Sequence, residues 1–155
     1  PSLITMIGST ETAKKVISDS STSIKKYSME LGGNAPFIVF EDADIEVAIN
    51  IGSAIKFGNC GQICVAANRF FVHENVHKKF VDGLIKKARE LKIGYNKNLD
   101  FEIGPLISKS SRERVNNLIK STIDNGGKLE FGGEIPLING NWFEPTIISL
   151  QLKSM

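Results

Sequence analysis

Short apolar runs and apolar repeats at steps of three or four take turns along the 155-residue chain, predicting alternating strands and helices. "LITMI" (3–7) reads as a strand, and "GST" follows it at once. A helix then begins near Thr10, with Ser9 or Thr10 as its cap and Ala13, Val16 and Ile17 on one face. "KKYSMELGGNAPFIVF" predicts a strand, a Gly-Gly break and a second strand over 36–40. Asp42 is placed to cap a helix running to about Phe57, with Ile45, Ala48, Ile51 and Ile55 along its apolar face. A glycine-punctuated loop leads to "NRFFV" (68–72), a further strand. Asn75 opens a long helix to about Leu91 carrying Val76, Phe80, Leu84 and Ala88, and Gly94 stops it.

Ser110 and Glu113 make an S-x-x-E capping box ahead of Val115, Leu118, Ile119, Thr122 and Ile123, and "DNGG" ends that helix. "KLEFGG" and "FEPTIIS" are two more strand candidates, with an exposed loop expected over 132–141. This alternation predicts an α/β fold, a mostly parallel sheet with flanking helices.

Composition narrows the functional classes. Apolar residues make up 41% and charged residues 23%, near globular averages, and the net charge is +2 with lysines scattered among carboxylates. No basic face emerges, so nucleic acid is excluded as the expected partner. No apolar run approaches the roughly 20 residues of a membrane span, and "PSLITMIGST" lacks the features of a signal peptide. Two cysteines without a framework pattern suggest a reducing compartment, with the cytoplasm or the mitochondrial matrix expected.

"HENVH" (73–77) matches H-E-x-x-H, which binds zinc when both histidines share one helical face. Here His73 follows a strand and Asn75 is the expected helix cap, so no metal site is expected. Cys60 and Cys64, in "GNCGQICVAANR", supply only half of a structural zinc site and lack C-x-x-C redox spacing. Two small buried residues remain the plain alternative. Against it, a loop with Gly61 and Gln62 can offer backbone N–H groups to a thiolate, making one cysteine a candidate nucleophile. Spacing alone does not choose between them.

Two further segments carry candidate chemistry. "IGSTETA" joins a strand, a tight turn and a helix start, the arrangement that presents free N–H groups to an anion. In "MELGGNAPF", Glu30 lies at a strand end beside Gly32 and Gly33, a candidate general base against the plainer alternative of an exposed charge.

The order of these segments resembles the aldehyde dehydrogenase superfamily. "ELGGNAPFIVFEDAD" (30–44) and "GQICVAANR" (61–69) are similar to its glutamate and cysteine signatures, and "GPLI" (104–107) and "FEPT" (143–146) fall where members carry similar segments. The resemblance covers essentially the whole chain. It implies Cys64 as nucleophile, Cys60 as a variable neighbour, and Glu30 as general base. It places Gly8 and Ser9 at the pyrophosphate, and Leu31 and Gly32 near the nicotinamide, of bound NAD or NADP. The implied substrate is a small-molecule aldehyde, oxidised to the acid without a metal by an enzyme expected to be a homo-oligomer. "NAPFIVF" and "ANR" look closest to the succinate-semialdehyde branch.

Three departures from that family's pattern stand out. "MIGS" (6–9) replaces its usual FTGS, and Ala13 stands where a glycine is expected. Gly58 stands where the succinate-semialdehyde branch usually has an arginine for the substrate carboxylate. The chain is also much shorter than family members. The resemblance therefore implies a fragment: residues 1–30 from the end of the dinucleotide-binding domain, and 31–155 from the first part of the catalytic domain. On its own such a fragment is expected to be inactive as a dehydrogenase. A non-catalytic folded remnant and one piece of a split enzyme are the alternatives.

Overall fold

The computed structural model describes residues 1–95 and 102–150. Two β-α-β-like stretches open the chain. β1 (Leu3–Gly8), α1 (Thr10–Asp19) and β2 (Lys26–Leu31) come first; β3 (Ala35–Val39), α2 (Ile45–Phe57) and β4 (Ala67–Val72) follow. A 3-10 turn over Gly58–Gly61 lies between α2 and β4, and α3 (Glu74–Glu90), α4 (Lys109–Asp124), β5 (Lys128–Phe131) and β6 (Ile147–Ser149) complete the described elements. The expected α/β class is what the structure has. β1 pairs parallel with β2, and β3 parallel with β4, while β5 and β6 pair antiparallel.

Three helix caps differ from the sequence expectation. α2 is capped by Asp44, whose carboxylate accepts from Val47 N at 3.1 Å; Asp42 instead lies in a turn where Ala43 N donates to Phe40 O. α3 is capped by His73, while the Asn75 amide is drawn away to Glu41 at 2.7 Å. α4 is capped by Ser108, so Ser110 lies inside the helix, and Glu113 pairs with Lys109 rather than closing a box. In each case the cap lies two residues from the expected position.

The apolar faces also shift. α2 buries Ile45, Ile49, Gly52, Ser53 and Phe57, whereas Ile51 is 47% exposed. This helix is apolar on nearly every side, so spacing by three or four fits several faces equally. α1 buries Ala13 but not Ile17, and α4 buries Ile119 but not Leu118.

The main core joins Val39, Ile45, Ile49, Phe80 and Leu84, with Phe37 and Phe70 packed against it. Gly83 of α3 lets α2 come close: a Cβ there would run into the Ile49 side chain. Helix propensity alone predicts that Gly83→Ala gains about 1 kcal/mol. Overpacking reverses the sign, and a net loss of about 1–2 kcal/mol is expected in a denaturant melt. A gain would contradict the α2–α3 contact.

A cavity of about 540 Å³ lies between β4 and β6, floored by Phe80 and Leu84. Asn68 through Val72 and Thr146 through Leu150 all line it. Successive residues of a strand point to opposite faces, so this cavity is bordered by the two strand edges rather than by a sheet face.

Candidate active site

The cysteine loop, residues 58–66, connects α2 to β4 through an unusual backbone. Asn59, Cys60 and Gly61 follow one another in the left-handed region, at φ 48°, 59° and 72°. Asparagine and glycine adopt this region readily, but cysteine does not. At Gly61 a Cβ would sit 3.1 Å from the Lys56 carbonyl oxygen. Gln62 closes the turn: its backbone N–H donates to Asn59 O at 3.0 Å and its side-chain amide to the same oxygen at 3.2 Å.

Two long-range hydrogen bonds fasten this loop to residues 104–107. Cys60 Sγ donates to Gly104 O at 3.0 Å, and Ile107 N donates to Gln62 Oε1 at 2.9 Å. The "GPLI" segment thus forms a back wall for the loop. Gln62 and Gly104 were not singled out for this role by sequence, because only the folded chain brings them together across some forty residues.

The two cysteines occupy different settings. Cys60 packs against Phe57, Ala88 and Ile103 on one side and Leu106, Ile119 and Phe143 on the other. Burial pushes its thiol pKa up. Cys64 is exposed. A raised pKa leaves Cys60 protonated at neutral pH, and its thiolate appears only as pH rises beyond the ordinary thiol range. Iodoacetamide labelling of Cys60 in a Cys64→Ala background is therefore expected to be slow near neutrality and to rise steeply only in alkali. Rapid labelling of Cys60 at neutral pH would contradict this setting.

The carboxylate turn lies against the same loop. β2 ends at Glu30 and Leu31, and residues 32–34 lead into β3. A Cβ at Gly33 would collide with the Cys64 carbonyl oxygen, so glycine there permits the two segments to touch. Arg69 of β4 reaches across to the turn, its Nε and Nη2 donating to Asn34 O at 3.1 and 2.8 Å. Glu30 itself is exposed, on the outer side of β2 with Lys26 and Ser28.

The remaining sequence-predicted residues gather at one edge. Gly8 and Leu31 are register partners at the carboxyl ends of parallel β1 and β2, where ligands of such sheets bind. Ser9 caps α1, its hydroxyl accepting from Thr12 N at 3.1 Å. A Cβ at Gly32 would meet nothing within 4 Å, so the backbone there is open to a ligand.

His73 lies outside α3 with ψ 141°, its Nδ1 accepting from Asn75 N, so it does not share a helical face with His77. Among the described residues no helix is long and apolar enough to cross a membrane. Lys56, whose pKa burial pushes down, donates to Asn68 Oδ1 at 2.7 Å behind the loop.

The thiol loop and the turn after Glu30 thus meet at Gly33 and Cys64, and the start of α1 lies at the carboxyl ends of β1 and β2. The Aldehyde dehydrogenase family profile matches residues 1–155, and the chain belongs to that family. It is 43% identical over 153 residues to succinate-semialdehyde dehydrogenase [NADP(+)] 2 of Schizosaccharomyces pombe, covering 98% of this chain and 31% of that protein. It is 41% identical over 151 residues to betaine aldehyde dehydrogenase of Bacillus subtilis, covering 95% of this chain and 31% of that one. The structure of succinate-semialdehyde dehydrogenase from Burkholderia pseudomallei superposes with a TM-score of 0.91 at 38% identity, covering 96% of this chain and 31% of that one. The chain thus spans about a third of the length of the relatives it matches.

Proposed function

We propose that these residues supply the thiol and the base of an NAD(P)-dependent aldehyde dehydrogenase, with Cys64 as nucleophile and Glu30 as general base. The contact of Gly33 with the Cys64 carbonyl is the observation that carries this reading, because it joins the carboxylate turn to the thiol loop. Cys64 Sγ attacks the aldehyde carbon, forming a C–S bond while the carbonyl pair moves to oxygen. The Cys64 backbone N–H is the candidate donor to that oxyanion. Bound NAD or NADP supplies the hydride acceptor that brings the adduct to the acid oxidation level. Glu30 takes a proton from water as the water attacks the acyl carbon on Cys64; the C–S bond breaks and the acid leaves.

The donors present fit a dinucleotide phosphate. The first N–H groups of a helix have no intrahelical acceptor, and here they lie beside Gly8 and Ser9 at the strand ends. Gly32 leaves the neighbouring backbone uncovered. Residues 1–30 belong in this reading to the cofactor domain and 31–155 to the thiol domain.

The names of the relatives put succinate semialdehyde first among substrates to try. Gly58 offers no cation to a carboxylate, which makes a short uncharged aldehyde the natural comparison. The working unit in this reading is a longer or two-chain protein, assembled as a homo-oligomer in a reducing compartment. Exposed Ile7, Ile24, Phe40 and Leu137 suit docking of further polypeptide.

Fixing the nicotinamide can supply roughly 7–11 kcal/mol of the barrier, so the chain alone is expected to reduce no cofactor. The test is a chimera in which these residues replace the matching segment of the S. pombe enzyme. NADP reduction with an aldehyde, lost in the Cys64→Ala chimera, is the expected result. A folded chimera inert with succinate semialdehyde and with short uncharged aldehydes would overturn the proposal.

A further inference from the structure

Arg69 is drawn into this site by geometry rather than by chemistry of its own. It stands on β4, opposite Pro36 of β3, downstream of Cys64. Its guanidinium places two N–H groups on one carbonyl, that of Asn34, and lies 5.9 Å from the centre of the Phe71 ring. Asn34 follows Gly33, whose backbone abuts the Cys64 carbonyl oxygen. One side chain thus ties the strand leaving the thiol loop to the turn leaving Glu30.

We propose that Arg69 is a positioning residue that holds the turn following Glu30 in register on the Cys64 loop; this rests on the roles assigned above to Glu30 and Cys64. A planar fork with two donors fixes the direction of the Asn34 carbonyl, which a single flexible ammonium does not. Without it, the β3–β4 pairing that begins at Ala35 and Ala67 still joins the two segments, but the turn ahead of it rests on the loop through the Gly33 contact without a side-chain hydrogen bond to fix its direction. Acylation of Cys64 needs only the thiol, whereas deacylation needs Glu30 and its water at the acyl carbon. Small misplacements of a catalytic group are costly in rate. Loss of the fork therefore slows deacylation and leaves acylation in place.

The experiment follows nitrophenyl acetate turnover by the 155-residue chain, separating the acylation burst from the steady deacylation rate. In the parent, Glu30→Gln is expected to slow deacylation about a hundredfold at unchanged burst amplitude. Arg69→Met is expected to slow it about tenfold, again at full burst amplitude, and to shrink the further cost of Glu30→Gln. Arg69→Lys, which keeps the charge without the fork, is expected to recover only part of the rate.

A merely structural role lowers the burst amplitude and the steady rate together, and that result overturns the proposal. So does an unchanged rate in Arg69→Met, or full recovery in Arg69→Lys, which would assign the effect to charge. If Arg69→Met does not fold, Arg69→Lys against the parent gives the same comparison. A parent in which Glu30→Gln changes nothing, or which shows no burst, overturns the site assignment itself and the proposal with it.

Discussion

Cys64→Ala is expected to abolish the nitrophenyl acetate burst and to lower ester hydrolysis by at least about a hundredfold, whereas Cys60→Ala keeps the burst. The asymmetry follows from the two settings. Cys64 is exposed, in the loop that touches the carboxylate turn. Cys60 is packed between two apolar clusters, its thiol donating to Gly104 O and its pKa raised by burial. A protonated thiol is a poor nucleophile. Cys60→Ala is instead expected to cost stability, about 1 kcal/mol, through the lost packing and hydrogen bond. A burst that survives Cys64→Ala and vanishes in Cys60→Ala would reverse the assignment.

The largest loss of stability is expected from Phe80→Ala. Phe80 is 1% exposed, the largest of the fully buried side chains among the described residues. Its ring lies 6.3 Å from that of Phe37 on β3 and 5.9 Å from that of Phe70 on β4, with Phe37 and Phe70 5.3 Å apart. Gly52 of α2 rests on the same trio, where a Cβ would lie 3.2 Å from the Phe70 ring edge. This cluster pins together the strand after the carboxylate turn and the strand after the thiol loop. Removing its central ring leaves a cavity that three elements share and none can fill, costing about 3–5 kcal/mol. That is a large part of a typical domain's stability, and the melting temperature is expected to fall by about 10 °C or more. A drop of only a degree or two would mean that the trio does not organise the core.

Much of this arrangement was legible in the sequence, and the exceptions have physical causes. Period and turn residues were enough to place the α-helices and most strands, because Gly32–Gly33, Gly58, Gly61 and Gly126–Gly127 punctuate clear apolar patterns; the 3-10 turn at Gly58–Gly61 reads as loop, and only Ile147–Ser149 of "FEPTIIS" is strand. Helix starts were less legible, since Asp42 and Asp44, or Ser108 and Ser110, are chemically equivalent caps until the preceding turn chooses between them. The face of α2 was not legible, for its isoleucines recur on several sides. At the site, the motif residues could be named, but their contacts could not. Nothing local to Gly33 announces the Cys64 carbonyl, and nothing near Arg69 announces Asn34; both depend on β3 and β4 pairing in register. Spacing did not separate the cysteines and the resemblance pointed to Cys64; the physical contrast between them comes from Gly104 and the two apolar clusters around Cys60.

In the proposed reaction Cys64 carries the acyl group and Cys60 does not. Brief exposure of the chain to nitrophenyl acetate, an acid quench and peptide mass mapping test it most directly. Because the two cysteines are separated by residues 61–63, fragment ions within 58–69 assign the acetyl group to one sulfur or the other. Acetyl is expected on Cys64 and none on Cys60, with the Cys64 adduct accumulating further in Glu30→Gln. Acetyl on Cys60, or on neither cysteine, would contradict the proposed reaction.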